Sequence, residues 1–237
     1  MITCIIVIFI IAILVYALFS AINVYNKKNH KFHGYKHASK KLLKNGLYNG
    51  IVAFGSSRIP NDDSYIRDIE NISELCAKRI IDNGKKISFI TGDGPSVMTA
   101  WLKPAAKIGI QTAGFSITLP FEESVSGYSN KKISYTFTNF PARKQVMFDH
   151  AIAYVVFKGG FGTMDELFNL LIYITTGRVE KKPIFVYPKS FYKDVLNFSK
   201  FIECKTIDED SVKLLTFFES KDELLKALYK VIDENGN

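Results

Sequence analysis

A glycine-rich segment, Lys158-Gly-Gly-Phe-Gly-Thr-Met-Asp-Glu166, follows an apolar run and precedes a helical pattern, which is the position of a loop between a strand and a helix. Glycines let the backbone approach an anion closely, and the start of a helix adds unpaired N–H donors and partial positive charge. The segment therefore predicts a phosphate site beside the carboxylate of Glu166. The candidate phosphate-binding residues are Gly159, Gly160, Phe161, Gly162 and Thr163.

The carboxylate of Glu166 also has a purely structural interpretation. If Thr163 were the N-cap of the helix, Glu166 would be its N3 residue, and the two would form a capping box that starts the helix. The position of Glu166 favours a functional interpretation instead, because the residue follows a glycine-rich loop at the end of a strand. A carboxylate in the first helical turn at that place can face a ligand.

Two other loops follow predicted strands. One is Gly55-Ser-Ser-Arg58, after the apolar run Gly50–Phe54, and the other begins at Gly92, after Lys86–Thr91. The carboxyl ends of parallel strands meet at one edge of a sheet, where α/β proteins bind their ligands. We therefore expect these loops to line the same crevice as the segment that begins at Gly159. The candidate binding residues they contribute are Gly55, Ser56, Ser57, Arg58, Gly92 and Gly94.

Arg143 and Lys144 come at the start of a predicted helix that has Pro141 near its first turn. Cations at a helix N-terminus oppose the macrodipole, so the sequence predicts a compensating negative charge. Either a bound anion or an ion pair with an acidic side chain would supply it. Both residues are candidates for binding an anionic substrate.

The common nucleotide signatures are missing. After Gly92 and Gly94, Val97 occupies the position where a dinucleotide fingerprint requires glycine, and no glycine loop is followed by the Lys-Ser/Thr pair of a P-loop. The pattern supports neither NAD nor ATP chemistry. We expect no metal ion and no organic cofactor. What remains is a loop suited to a single phosphate group.

The sequence between the candidate loops alternates short apolar runs with amphipathic stretches. This alternation predicts βαβ units and a parallel α/β sheet flanked by helices. Six strands are predicted, and the tail from 189 onwards is expected to contain helices over Phe191–Phe201 and Asp222–Ile232.

The N-terminal segment has a different character. Ile2 to Tyr25 contains no charged residue and is long enough to cross a bilayer as a helix of roughly 20 residues, so residues 1–25 are predicted to be a transmembrane anchor. A cleaved signal peptide is the alternative, but no basic region precedes the apolar run. Positive flanks stay in the cytoplasm, which predicts a single-pass protein with a cytoplasmic domain.

Seven lysines and no acidic residue lie between Asn26 and Asn45, so residues 26–48 are interpreted as a basic juxtamembrane linker and residues 49–237 as the domain. Removing these seven charges from the formal net charge of +8 leaves +1, so the domain itself is nearly neutral. The basic character therefore indicates anionic lipid headgroups and not nucleic acid. Three cysteines without a pairing pattern fit a reducing compartment.

In this order and combination, the motifs resemble the LOG ("Lonely guy") family of cytokinin-activating nucleoside 5′-monophosphate phosphoribohydrolases, once named lysine decarboxylases. The motifs that carry the resemblance are Gly55–Arg58, Gly92–Met98, Leu119-Pro-Phe-Glu122, Arg143-Lys144 and Gly159–Glu166. The resemblance implies a Rossmann-like fold, a homodimer, catalytic roles for Arg143 and Glu166, and phosphate binding by the glycine segment.

Four residues depart from the family pattern. Lys158 replaces a proline, Asp93 a glycine, Thr175 a glutamine and Ser126 an asparagine. A carboxylate at Asp93 would either repel phosphate or bind ribose hydroxyls, and the sequence leaves both open. Arg143 and Glu166 are retained.

The expected activity is hydrolysis of the N-glycosidic bond of a purine nucleoside 5′-monophosphate, with AMP and cytokinin-type nucleotides as candidate substrates. The departures support an alternative, a membrane-tethered module that binds a nucleotide without cleaving it. Amino-acid decarboxylation is a weaker alternative, since no lysine is marked as a pyridoxal site.

Overall fold

In the computed structural model of the chain, residues 13–18, 20, 34–119 and 125–236 are described. The predicted anchor over residues 1–25 thus lies largely outside the described residues, and its described part, 13–18 and 20, is helical and exposed. Within the described ranges, no helix combines the length and the apolar character needed to cross a membrane.

A parallel sheet forms the centre of the domain. Its seven strands lie in the order β4-β3-β2-β1-β5-β6-β7, and every neighbouring pair is parallel. The predicted α/β class, with a parallel sheet flanked by helices, is confirmed. The strands are β1 (Gly50–Phe54), β2 (Ser88–Thr91), β3 (Thr112–Ile117), β4 (Tyr135–Phe137), β5 (Ala151–Val156), β6 (Ile184–Val186) and β7 (Leu215–Phe217).

Helices cover both faces of the sheet, because alternate residues of each strand point to opposite sides. The described helices are α1 (34–44), α2 (Ser64–Asp82), α3 (Val97–Lys107), α4 (Phe140–Asp149), α5 (Phe161–Thr175), α6 (Lys189–Val195), α7 (Phe198–Glu203), α8 (Glu209–Val212) and α9 (Lys221–Glu234). In β1, Ile51 and Ala53 belong to one core cluster, with α2, α3 and α9, whereas Val52 and Phe54 belong to another, with α1, α4 and α5.

The tail differs from the sequence prediction. The helix predicted over Phe191–Phe201 is two short helices, and the break falls at Asn197, whose side chain accepts a hydrogen bond from the backbone N–H of Lys200 and so caps α7. Strand β7 and helix α8 were not predicted. Each has only three or four residues, too few to show a period in the sequence.

The segment interpreted as a linker also differs. From residue 34 it forms α1, whose Ala38 and Leu42 have no exposed surface, and Leu47 beyond it is 8% exposed. Tyr35 Oη donates to Asp149 Oδ2 at 2.6 Å, and Lys41 Nζ donates to the carbonyl of Ser134 at 2.7 Å. The folded domain therefore includes residues 34–48. This helix was not predicted from the sequence, because lysines surround its few apolar residues and obscure the helical pattern.

Substitutions at two adjacent leucines test this boundary. Leu42 is fully buried, and Leu43 is 71% exposed. We expect Leu42→Ala to lower the free energy of unfolding by about 2–5 kcal/mol, because it leaves a cavity in the core. Leu43→Ala should change it by less than about 0.5 kcal/mol. Denaturant unfolding of the full chain measures both, and equal effects would contradict the packing of α1.

Candidate functional site

A cleft of about 750 Å³ opens at the carboxyl ends of β1, β2, β3 and β5. The strand order reverses between β1 and β5, and this is the place where open α/β sheets bind ligands. All the predicted site residues except Lys144 line the cleft. They are Gly55, Ser56, Ser57, Arg58, Gly92, Gly94, Arg143, Gly159, Gly160, Phe161, Gly162, Thr163 and Glu166.

The first turn of α5 forms one wall of the cleft. The helix begins at Phe161, and its N-cap residue is Gly160, which has no side chain to satisfy the first N–H groups. These donors, together with the helix dipole, make the wall suited to an anion. Thr163 is therefore a residue inside the helix and not its cap. The capping-box interpretation of Thr163 and Glu166 is wrong, because the helix starts two residues before the predicted cap.

The three glycines of this segment meet different surroundings. A Cβ on Gly159 would lie 2.0 Å from Thr163 Oγ1, so this glycine is required by contact with the protein itself. A Cβ on Gly160 or Gly162 would meet no atom within 4 Å. Phe161, between them, is 97% exposed at the mouth of the cleft. The space next to the N-terminus of α5 is therefore open.

The loop after β1 connects the glycine segment to α3. The backbone N–H of Ser56 donates to the carbonyl of Lys158 at 2.9 Å, and its own carbonyl accepts from the N–H of Val97 at 3.2 Å. Ser56 Oγ accepts from the N–H of Arg58 at 3.0 Å. These bonds hold the first loop against the two others, so Ser56, Ser57 and Arg58 face the same space as Gly160.

Asp93 of the second loop also lines the cleft, and its carboxylate is hydrogen-bonded to two serine side chains. Its carboxylate accepts hydrogen bonds from the hydroxyl of Ser126 and, at 2.9 Å, from that of Ser129, and only 6% of the residue is exposed. The backbone φ of Asp93 is +65°. Its hydrogen bonds connect the loop after β2 to residues 126–129. Two of the four sequence departures, Asp93 and Ser126, are therefore partners in one contact.

Arg143 and Glu166 meet at the base of the cleft. Arg143 Nη2 lies 3.3 Å from Glu166 Oε1, and the two side chains are only 10% and 11% exposed. Arg143 Nε also donates to the carbonyl of Phe115 at 2.7 Å, which fixes the guanidinium. Burial raises the pKa of Glu166, while the charge of Arg143 opposes that rise. The site thus holds a carboxylate with little solvent around it and one cation in contact.

Lys144, predicted to bind substrate, does not line the cleft. Its Nζ donates to both carboxylate oxygens of Asp165 at 2.8 Å, and its side chain is 8% exposed. The negative charge expected near the N-terminus of α4 is thus supplied within the protein. Two adjacent cations, Arg143 and Lys144, pair with two adjacent carboxylates of α5.

The structure adds residues that the sequence interpretation missed. They come from the ends of β3 and β4 and from the rim of the cleft. Their signal in the sequence is weak, since only their place at strand ends could have indicated them. They are Met98, Ser116, Ile117, Thr118, Leu119, Val125, Thr136, Phe140, Met164 and Val195.

Several sequence interpretations concern residues away from the cleft. Thr175, a departure from the family pattern, does not line it, and its hydroxyl donates to the carbonyl of Leu171 within α5. Most of Leu119-Pro-Phe-Glu122 lies in the range 120–124, outside the described residues. Among the described side chains, no group of three or more His, Cys, Asp and Glu is placed to hold a metal ion. The predicted homodimer stays a prediction.

Comparisons with known proteins agree with this geometry. Residues 98–228 match the sequence profile of a family described as "Possible lysine decarboxylase". No curated protein sequence matches the chain. Two solved structures of the molybdenum cofactor carrier protein from Chlamydomonas reinhardtii are similar. One is 17% identical, with 78% of this chain and 98% of that chain covered and a TM-score of 0.52. The other is 16% identical, with 79% of this chain and 99% of that chain covered and a TM-score of 0.51. At such identities the likeness is one of fold.

Two glycines of the phosphate segment provide a matched test of the loop. Gly159→Ala places a Cβ against Thr163 and should lower the free energy of unfolding by about 1–3 kcal/mol. Gly162→Ala adds a methyl group in open space within α5 and should leave stability unchanged or raise it by up to about 1 kcal/mol, because alanine favours helix. Denaturant unfolding gives both values. A stable Gly159→Ala variant would show that the loop is not packed against Thr163.

Proposed function

Because the chain belongs to the family described as possible lysine decarboxylase, the family of the LOG proteins that its motifs resemble, we propose that it hydrolyses the N-glycosidic bond of a purine nucleoside 5′-monophosphate. The products are the free base and ribose 5-phosphate. The observation that carries this proposal is the carboxylate of Glu166, which is buried beside Arg143 in a cleft that also contains an open helix N-terminus.

The chemistry requires a negative charge near the anomeric carbon. When the bond between C1′ and the base nitrogen breaks, its electrons leave with the base, and the ribose acquires oxocarbenium-like positive charge. A fixed carboxylate stabilises that charge and orients the water whose oxygen bonds to C1′. One proton of the water is released and the base takes up one proton. Glu166 is the group in the cleft that suits this role, since only 11% of its side chain is exposed to competing solvent.

The phosphate group would bind at the N-terminus of α5. The free N–H groups after Gly160 and the hydroxyls of Ser56 and Ser57 surround this space, and Arg58 adds a positive charge at its edge. Binding the phosphate away from the reacting bond fixes the orientation of the ribose. Arg143 opposes the rise that burial causes in the pKa of Glu166 and holds the carboxylate in place through their contact of 3.3 Å. Its guanidinium would also position the substrate through its phosphate or support the leaving base.

The cleft gives no support for amino-acid decarboxylation through pyridoxal. Such a site needs a lysine amine that can reach the cofactor, and no lysine is among the residues described as lining the cleft. The nearest candidates are engaged elsewhere. Lys144 pairs with Asp165, and Lys158 Nζ lies 4.3 Å from the centre of the Tyr65 ring.

Nucleotide binding without hydrolysis is the second candidate. Its support is Asp93, a carboxylate at a position where the LOG pattern has glycine, together with a fold shared with molybdenum cofactor carrier proteins, whose name denotes binding. The two candidates differ in one measurable property, the release of ribose 5-phosphate.

We also propose that residues 1–25 anchor the protein in a membrane. The support is the uncharged run from Ile2 to Tyr25 and the lysines that follow it. A reporter enzyme fused after Asn237 should be active on the cytoplasmic side. An exported reporter would contradict the proposed orientation.

Substitution of Glu166 tests the reaction. The full chain in detergent is incubated with AMP or with isopentenyladenosine monophosphate, and ribose 5-phosphate is measured. Glu166→Gln should lower turnover by at least about 100-fold, because the charge that stabilises the transition state is lost while the shape is kept. The matched control is Glu180→Gln, at a carboxylate that does not line the cleft and whose side chain is 78% exposed. This variant should retain most of the activity.

The outcomes separate the two candidate functions. If calorimetry shows that the wild-type chain binds the nucleotide but no ribose 5-phosphate is released, hydrolysis is contradicted and the protein is a nucleotide-binding module. Near-normal turnover in Glu166→Gln would overturn the role of the carboxylate.

A further inference from the structure

The exposed side of α1 carries a row of lysines. Lys36, Lys40 and Lys44 are spaced four residues apart, which places them on one face of the helix, and all three are exposed. Lys131 and Lys132 are also exposed, and they lie next to α1, because Lys41 Nζ donates to the carbonyl of Lys131 at 3.1 Å. These five lysines, which we call the basic face, form no ion pair with any described residue.

The basic face is rigidly attached to one end of the sheet. Several side-chain hydrogen bonds join α1 and the turn after it to residues that lie shortly before a strand. Asp149 precedes β5, Ser134 precedes β4, and Gln111 precedes β3 and donates to the carbonyl of Gly46 at 3.0 Å. The buried side chains of Ala38 and Leu42 fix the helix between these points. The lysines therefore move with the domain.

The cleft lies at the opposite end of the same strands. Its loops follow β1, β2 and β5, whereas the partners of α1 precede β3, β4 and β5. The strand β5, Ala151–Val156, has six residues, and at about 3.3 Å per residue it separates the two ends by roughly 20 Å. A flat surface in contact with the basic face would therefore lie nearer to the amino ends of these strands than to the loops that line the cleft.

From this arrangement we propose that the basic face binds the anionic headgroups of a lipid bilayer and holds the domain with its cleft turned towards the aqueous phase. The argument for this occupant is charge complementarity together with the adjoining sequence. Lys27, Lys28 and Lys31 and the uncharged run from Ile2 to Tyr25 precede α1 directly in the chain. Each lysine near an anionic surface strengthens binding by about fivefold, the equivalent of about 1 kcal/mol. The inference is independent of the reaction in the cleft.

The test measures the distance of each end of the domain from the lipid. The full chain, with Cys4→Ser and Cys204→Ser, receives one labelled cysteine, either Leu43→Cys on α1 or Val195→Cys at the cleft. Both positions are exposed and uncharged. Energy transfer to headgroup-labelled lipid is then recorded in phosphatidylcholine vesicles with and without phosphatidylserine. We expect stronger transfer from position 43 than from position 195 in the anionic vesicles, and a smaller difference in the zwitterionic vesicles or at 1 M salt.

Charge reversal identifies the lysines responsible. Lys36→Glu, Lys40→Glu and Lys44→Glu together should weaken the anionic contact by about 100-fold or more and reduce the difference between the two positions to its value in zwitterionic vesicles. The matched control reverses Lys107, Lys181 and Lys226, three exposed lysines outside the basic face, and should keep the larger difference. Equal transfer from both positions in anionic vesicles, or a difference that the α1 triple reversal leaves undiminished, would overturn the proposal. Ribose 5-phosphate release is not used, so the result does not depend on the proposed reaction.

Discussion

Two adjacent cations of α4 face two adjacent carboxylates of α5, and the arrangement of the cleft depends on this pairing. Arg143 contacts Glu166 and Lys144 contacts Asp165. Three of the four side chains are nearly buried, and breaking a buried ion pair by removing one partner costs about 3–5 kcal/mol, because the other charge stays without compensation. The pairing thus resists any slip of one helix past the other. The charge of Arg143 also opposes the rise that burial causes in the pKa of Glu166.

The contact between Arg143 and Glu166 also explains why residue 92 is a glycine. A Cβ on Gly92 would lie 1.9 Å from Arg143 Nη2. The guanidinium can reach Glu166 only because the loop after β2 has no side chain at this position. Gly159 has the same relation to Thr163. Gly92 and Gly159, which lie at strand ends, therefore leave room for side chains of the protein itself and not only for a ligand.

The two ends of the sheet differ in what they expose. At the carboxyl ends, loops from β1, β2 and β5 enclose a space with an open helix N-terminus and a carboxylate. At the amino ends, α1 covers the sheet with a buried apolar side and exposes lysines on the other. Because α1 is part of the domain, a contact made by its lysines also sets the direction in which the cleft opens.

The amino-acid sequence alone determined the parallel α/β sheet and the three loops at its strand ends, since strand and helix periods and glycine corners are local properties of the chain. Arg143 and Glu166 were singled out as catalytic candidates by the resemblance of the motifs to the LOG family. The tertiary structure decided what each side chain contacts. Lys144 is turned to Asp165, the carboxylate of Asp93 to Ser126 across 33 residues of chain, and α5 begins at Phe161 and not after a threonine cap. A run of lysines read as a linker contains a packed helix. Such outcomes depend on contacts between segments far apart in the chain, and a pattern of neighbouring residues does not carry them.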